Sequence, residues 1–171
     1  MKATLEVINQ MQADGVISKY AIGGAVGATF YLEPTDTVDI DIFVSFQQQP
    51  GSALISLSPI YEYLKDYKKR GEYIVIADWP VQFLPSANPL DDEALAQAIQ
   101  TDLEGIPTWV MTAEHLVAIA LRLGRVKDHL RIRQFIESGA LDAAKLDAIL
   151  ARHGLVAKWQ EFEDKYGGEK P

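Results

Sequence analysis

Two aspartates, Asp39 and Asp41, are separated by one residue in the segment 37–44, which reads Thr-Val-Asp-Ile-Asp-Ile-Phe-Val. Alternate side chains of a β-strand share a face, so a strand here would hold both carboxylates on one side. The other side would carry the apolar residues Val38, Ile40, Ile42 and Val44. Mg²⁺ is usually held by one or two carboxylates together with substrate phosphates. The spacing therefore predicts a divalent-metal site of the kind used in phosphoryl or nucleotidyl transfer.

A glycine pair, Gly23-Gly24, follows the short apolar run 20–22 and precedes the aspartates. Glycines allow a tight turn and close approach of a ligand to the backbone, whose amides can then meet phosphate oxygens. Each motif also has a simpler interpretation, namely an ordinary turn for the glycines and a half-buried strand with hydrated aspartates. Aspartate is depleted in strands, however, and a bound cation would make the pair favourable.

These residues must be positioned by the elements around them. In the first part of the chain, hydrophobic periodicity and turn residues predict helices and strands in a definite order. The predicted order is a helix at 3–13, a strand at 20–22, a short helix at 25–29, a strand at 38–46, a polar linker at 47–51, a helix at 58–70, and a hairpin of strands 72–76 and 81–84 with its turn at 78–80.

The rest of the chain is predominantly helical. A helix at 91–101 and an extended piece at 108–111 precede a helix capped by Thr112, and three more helices follow at 126–138, 142–152 and 156–166. A sheet in the first half and helices in the second predict an α+β fold with a helical C-terminal bundle. We expect two domains, residues 1–106 and residues 107–171.

Composition limits the classes of function. The 171 residues include no cysteine and three histidines, so any metal must rely mainly on oxygen ligands. A net charge of −8 argues against a protein that coats DNA, because non-specific binding needs a basic surface. The chain has no apolar run long enough to span a membrane, and its beginning lacks signal-peptide features. We therefore expect a cytoplasmic protein that does not bind membranes.

The basic residues are concentrated in one place. Five of the 16 lysines and arginines fall between Arg122 and Arg133. This stretch would face an anionic ligand or form a solvated helix face. Lys127 and Asp128, which are adjacent within it, could equally make a surface ion pair.

The order of these motifs resembles that of the polymerase-beta-like nucleotidyltransferase superfamily, whose members have a Gly-Gly or Gly-Ser turn followed by Asp-x-Asp or Asp-x-Glu. Gly23, Gly24, Asp39 and Asp41 match that motif. The segment 112–118, followed by Arg-Val-Lys-Asp at 125–128, is similar to the helical region of the abortive-infection (AbiEii/AbiGii) toxin type of nucleotidyltransferase. The resemblance covers most of residues 18–135.

The resemblance implies a nucleotidyltransferase-like small mixed β-sheet flanked by helices. It also implies Mg²⁺ or Mn²⁺, a nucleoside triphosphate substrate, and transfer of a nucleotidyl group to a hydroxyl of a protein or an RNA such as tRNA. Asp39 and Asp41 would be the metal ligands and catalytic residues, and Gly23 and Gly24 would hold the triphosphate. Lys127 would be catalytic and, with Asp128, would lie near the nucleotide or organise a helical lid. A toxin-antitoxin pair would supply a partner protein.

One position departs from this pattern. The superfamily usually has a third carboxylate on the neighbouring strand, and the corresponding residue here is Gln82. Its amide oxygen can contact a cation, but it carries no charge and cannot act as a base. Asp78 is an alternative donor if the strand continues through Trp79-Pro80. Two hypotheses follow, an active nucleotidyltransferase and a catalytically degenerate module of the same fold that binds nucleotide or a partner protein.

Overall fold

The computed structural model describes residues 1–47 and 55–167 and divides into two compact units. The first unit comprises Met1–Phe30 and Pro34–Met111, and the second comprises Tyr31–Glu33 and Thr112–Pro171. The main boundary between the two units lies between Met111 and Thr112, and the predicted domains 1–106 and 107–171 remain a prediction. Most of the linker predicted at 47–51 lies outside the described residues.

In the described part of the first unit, seven strands form one mixed sheet with four helices. The elements are α1 (Lys2–Ala13), β1 (Lys19–Ile22), α2 (Gly24–Ala28), β2 (Ile40–Ser45), α3 (Ser58–Tyr63), β3 (Lys68–Arg70), β4 (Tyr73–Ile76), β5 (Trp79–Pro85), α4 (Pro89–Ala96), β6 (Ile99–Leu103) and β7 (Ile106–Val110). The strand order is β3-β4-β5-β2-β1-β7-β6. β2 runs parallel to β5 and β1 parallel to β7, and the other neighbours are antiparallel.

The core of this unit forms between α1 and the sheet. The apolar stripe of α1 is fully buried at Leu5, Ile8 and Met11, as its threefold spacing predicts. It belongs to one cluster with alternate residues of the central strands, among them Ile40, Ile42, Val44, Val81 and Phe83. Burial of these alternate residues sets which face of β2 and β5 is free to carry polar side chains.

Two predicted helices are too long. The helix predicted at 58–70 ends at Tyr63, and Lys68–Arg70 forms the edge strand β3 of the sheet. The helix predicted at 91–101 is α4, which ends at Ala96, and β6 begins at Ile99. In both cases pairing with a neighbouring strand outweighs local helical periodicity. For β6 the partner is β7, joined through Glu104 and Gly105, which both have positive φ as a tight two-residue hairpin turn requires.

The second unit is helical in its described part. It contains α5 (Ala113–Leu123), α6 (Val126–Ser138), α7 (Ala143–Arg152) and α8 (Val156–Tyr166), and α5 contacts the other three helices. Thr112 caps α5, as predicted, by accepting a hydrogen bond from the His115 amide at 3.3 Å. The predicted α+β class with a helical C-terminal bundle is confirmed. No helix among the described residues has both the length and the apolarity to cross a bilayer.

Candidate active site

The glycine pair joins β1 to α2. Gly23 caps α2, and its amide donates a hydrogen bond to the Asp41 carbonyl at 2.9 Å. A Cβ atom on Gly23 would lie 2.6 Å from Cε2 of Phe43, so a larger residue would collide with the ring. Gly24 has a φ of +55°, and a Cβ there would overlap Oδ2 of Asp41. Both positions therefore need glycine, and the Asp41 carboxylate lies directly against the Gly24 backbone.

Strand register places Gln82 beside Asp41. The parallel pairing of β2 with β5 matches Asp41 to Gln82, between the matched pairs Ile40–Val81 and Ile42–Phe83. Matched residues of adjacent strands point to the same face, so the Gln82 amide and the Asp41 carboxylate are neighbours. Both side chains are partly exposed, whereas Ile40 and Ile42 on the opposite face are completely buried. Gln82 thus occupies the place where the resemblance implies a third carboxylate.

Asp39 lies outside the ladder. It precedes β2, which begins at Ile40, and its carbonyl accepts a hydrogen bond from the Thr37 hydroxyl at 3.0 Å. Val38, which was predicted to share the buried face, is 79% exposed because the chain has not yet entered the sheet there. The ladder therefore fixes Asp41, whereas Asp39 depends on local contacts.

Tyr73 contacts Asp39, the aspartate that lies outside the strand pairing. A hydrogen bond to the Asp39 side chain raises the pKa of Tyr73, and the negative charges of Asp39, Glu72 and Asp41 raise this pKa further. The Tyr73 hydroxyl is therefore within hydrogen-bonding reach of the Asp39 carboxylate. That Asp39 and Asp41 together hold one cation stays a prediction of the Asp-x-Asp spacing.

These residues form part of one row across the sheet. β4 pairs Ile74 with Val81, so its preceding residue Tyr73 lies level with Gln82, and Arg70 of β3 is matched to Tyr73. The row thus runs from Asp41 through Gln82 and Tyr73 to Arg70. Sequence reasoning missed Tyr73 and Arg70, because only the register of β3 and β4 brings them level with the aspartates.

Asp78, the alternative third donor, is in the wrong place. It lies in the turn between β4 and β5 with a φ of 69° and is exposed. Gln82 is four residues farther along the chain, and at roughly 3.3 Å per residue this is about 13 Å away. Asp78 therefore does not occupy the place of Gln82 beside Asp41.

The donor set suits one kind of metal. Asp39, Asp41 and Gln82 offer carboxylate and amide oxygens, which are ligands that Mg²⁺ and Mn²⁺ accept. Within residues 1–47 and 55–167, no group of three acidic, histidine or cysteine side chains is arranged to hold a metal. The site residues therefore fit a hard divalent cation, with two carboxylates rather than three.

Asp128 has a structural contact of its own in the second unit. It is 1% exposed at the start of α6, and its carboxylate accepts hydrogen bonds from Arg125 Nε at 2.6 Å and Arg125 Nη2 at 3.0 Å. It also accepts from the Arg125 amide at 3.1 Å, which completes a capping box. Lys127 is exposed, and Asp128 forms ion pairs with Arg125 and, at 4.0 Å, with Arg131. The predicted roles of Lys127 and Asp128 at the nucleotide remain predictions.

The basic stretch is only partly a solvated face. His129, on α6, has its ring 5.7 Å from that of Phe162 and 5.2 Å from that of Tyr166, both on α8. The carbonyl of Arg122 near the end of α5 accepts a hydrogen bond from Lys158 Nζ at 2.8 Å. Several polar groups of the stretch therefore join the helices of the second unit together.

Comparison with solved structures identifies the fold. One neighbour is the crystal structure of ANT(2″)-Ia in complex with adenylyl-2″-tobramycin, with a TM-score of 0.51, 16% identity, and coverage of 95% of this chain and 98% of that one. Another is an antigenic nucleotidyltransferase-like protein from Paracoccidioides brasiliensis, with a TM-score of 0.55, 15% identity, and coverage of 94% and 88%. No protein-family model matches the sequence, and neither does any curated protein.

A solution structure of ANT(2″)-Ia, described as an antibiotic-resistance factor, agrees with these two. It has a TM-score of 0.51 and 16% identity and covers 98% of each chain. The matches extend over nearly the whole chain, sheet and helices alike. The chain therefore has a nucleotidyltransferase fold, and the fold class predicted from the motifs is confirmed.

Proposed function

We propose that this protein is a nucleotidyltransferase that binds Mg²⁺ and a nucleoside triphosphate and transfers a nucleotidyl group to a hydroxyl of a protein or RNA. The observation that carries the proposal is the contact between Asp41 and the Gly24 backbone, in a chain with a nucleotidyltransferase fold. The contact supports the proposal because a carboxylate that could bind a cation lies next to a backbone turn that could receive phosphate oxygens.

In the proposed reaction the acceptor oxygen forms a bond to the α-phosphorus of the triphosphate. The bond from that phosphorus to the oxygen bridging to the β-phosphorus breaks, pyrophosphate leaves, and the acceptor loses its proton. A bound divalent cation would neutralise charge on the phosphates. The protein's own contribution is to position the reactants, with Gly23 and Gly24 along the triphosphate and Asp39 and Asp41 toward the cation.

The motif order also supports a narrower proposal. The AbiEii/AbiGii-like sequence around residues 112–128 suggests a toxin-antitoxin system, in which the partner is the cognate toxin or antitoxin protein and tRNA is a candidate acceptor. A cytoplasmic location belongs to the same proposal. The fold alone leaves the acceptor open, so a test must offer proteins, RNA and small hydroxyl compounds separately.

A second candidate function is a degenerate module that binds nucleotide or a partner protein without turnover. Gln82 favours it, because an uncharged amide stands next to Asp41 where a carboxylate is expected. An amide cannot accept the proton of the acceptor hydroxyl.

The test is transfer of label from α-³²P nucleoside triphosphates in the presence of Mg²⁺ or Mn²⁺. The acceptors are cell-extract protein, tRNA, and tobramycin, which appears in adenylylated form in one neighbouring structure. We expect labelling of protein or RNA that Asp39→Asn and Asp41→Asn each reduce by about 100-fold or more, as loss of groups that stabilise transferred phosphate can cost. Asp78→Asn, in the exposed turn, is the control that should keep activity.

Thermal shift with nucleotide and Mg²⁺ separates the two candidates. A bound ligand at 100 times its dissociation constant stabilises a protein by about 2.7 kcal/mol. Stabilisation without any labelled product, in both the wild type and Gln82→Asp, would establish the module and reject the enzyme. Absence of both stabilisation and labelling would reject the enzyme and the nucleotide-binding form of the module.

A further inference from the structure

The negative charges in the site limit the number of divalent cations that it can bind. Along the row that crosses the sheet, Asp41 is followed by the neutral Gln82 and then by the neutral Tyr73. The row ends at the positively charged Arg70, so the carboxylates among the proposed site residues are those of Asp39 and Asp41.

Two bound divalent cations need more negative charge around them than the carboxylates of Asp39 and Asp41 provide. In two-metal sites the ions are about 3.5–4 Å apart, so they repel strongly unless bridging and flanking carboxylates surround them. A third carboxylate at position 82 would flank the Asp41 side of the site, because Gln82 is matched to Asp41 in the parallel ladder. The amide oxygen of Gln82 can complete the shell of one ion but adds no charge to hold a second.

We propose that the site binds a single divalent cation between Asp39 and Asp41, and that Gln82 is the residue that sets this number. The inference rests on the proposed function insofar as that function requires a metal at these aspartates. It goes further by giving the number of ions and the side chain that determines it.

The position of Gln82 in the sheet also shows which substitution should change the number of bound cations. Gln82 is partly exposed and lies on the polar face of β5, while its neighbours Val81 and Phe83 are buried on the other face. A carboxylate at position 82 would thus point toward Asp41 without entering the core. Gln82→Asp should create a second ion site from an otherwise unchanged sheet.

The experiment measures Mn²⁺ bound per chain, by electron paramagnetic resonance of free Mn²⁺ and by calorimetry, on the full-length protein without nucleotide. We expect one Mn²⁺ for the wild type and two for Gln82→Asp. Gln100→Asp, on exposed β6 of the same sheet, is the matched control for the added charge and should still bind one. Gln82→Glu, almost isosteric with glutamine, replaces Gln82→Asp if the latter does not fold in a thermal-unfolding assay.

The outcomes separate this inference from the proposed function. Two ions in the wild type, or one ion in both position-82 carboxylate variants, would overturn the single-cation proposal. No Mn²⁺ binding by the wild type would overturn it together with the metal-dependent function. One ion in the wild type and two in the variant, with no label transferred, would support the single-cation site and reject turnover.

Discussion

At the scale of single residues, we expect the site to be most sensitive to substitution of Gly24. Its φ is +55°, and the space for a Cβ is filled by the Asp41 carboxylate, so a side chain would both strain the backbone and displace a proposed metal ligand. Position 24 therefore requires glycine for two reasons, the positive φ of its backbone and the carboxylate that fills the space of a side chain.

Gly24→Ala should therefore destabilise the protein and weaken Mn²⁺ binding. Gly15→Ala is the matched control, because Gly15 has a φ of +75° but nothing within 4 Å of the added Cβ. We expect each variant to lose about 1 kcal/mol of unfolding free energy from backbone strain, with a further loss only for Gly24→Ala. Chemical denaturation and Mn²⁺ calorimetry measure the two effects. Equal losses and unchanged Mn²⁺ affinity in both variants would contradict the contact with Asp41.

Tyr73 is the second residue-scale prediction. Since Asp39 lies outside β2, its carboxylate relies on the Tyr73 hydroxyl for orientation. Loss of a group that orients a metal ligand typically weakens metal binding by about 10-fold or more, and we expect this of Tyr73→Phe. Tyr63→Phe removes a comparable hydrogen bond, from Tyr63 to Asp14 at 2.6 Å, and should leave Mn²⁺ affinity unchanged. If both variants bind Mn²⁺ like the wild type, Tyr73 does not position Asp39.

At the scale of elements, the β4–β5 hairpin carries strain next to the strand that supplies Gln82. Its two turn residues, Ala77 and Asp78, have φ values of 47° and 69°, which is the conformation that Asn-Gly adopts most readily. This left-handed conformation costs an L-residue with a side chain roughly 1–2 kcal/mol.

The double variant Ala77→Asn, Asp78→Gly should raise the unfolding free energy by about 1 kcal/mol or more, because it removes that strain. The β6–β7 hairpin offers a contrast, since Glu104 has a φ of 54° but its carboxylate also accepts a hydrogen bond from the Lys2 amide at 2.9 Å. Glu104→Asn should therefore gain less. Urea denaturation of the wild type, the double variant and Glu104→Asn measures these differences in unfolding free energy. A double variant less stable than the wild type would show that the β4–β5 turn is not strained.

At the scale of the whole molecule, stability should decrease in alkaline solution through tyrosine ionisation. Burial and then the negative charge of Glu114 raise the pKa of Tyr31 to about 12, and burial raises that of Tyr20. The folded state therefore favours the neutral phenols. Stability from this source is complete below pH 10, the ordinary tyrosine value, and is lost as the pH rises toward about 12.

Tyr31→Phe should flatten this alkaline decrease. A shift of this size corresponds to at most about 2.7 kcal/mol, and solvent screening of a partly exposed ring reduces it. Urea denaturation between about pH 9 and pH 11.5 measures the slope, with Tyr61→Phe as the exposed control. An unchanged slope in Tyr31→Phe would assign the alkaline loss to other groups.

Many of the helices and strands could be predicted because they depend on patterns within short segments of the sequence. The bounds of α6 and α8 and the Thr112 cap agree with prediction, because apolar spacing and a capping threonine are local signals. The helices predicted at 58–70 and 91–101 include all of the edge strand β3 and the first three residues of the edge strand β6, because each of these strands forms by pairing with a partner strand and not from its own sequence pattern.

The same distinction applies to the candidate site. Sequence alone determined which residues could hold a cation and phosphate, because Asp-x-Asp alternation and a Gly-Gly turn are properties of neighbouring residues. Tertiary structure decided that Asp41 lies against Gly24, that Gln82 stands beside Asp41, and that Tyr73 contacts Asp39. These relations depend on strand register, which is fixed by burial of one face of the sheet against α1 and so cannot be obtained from any single segment.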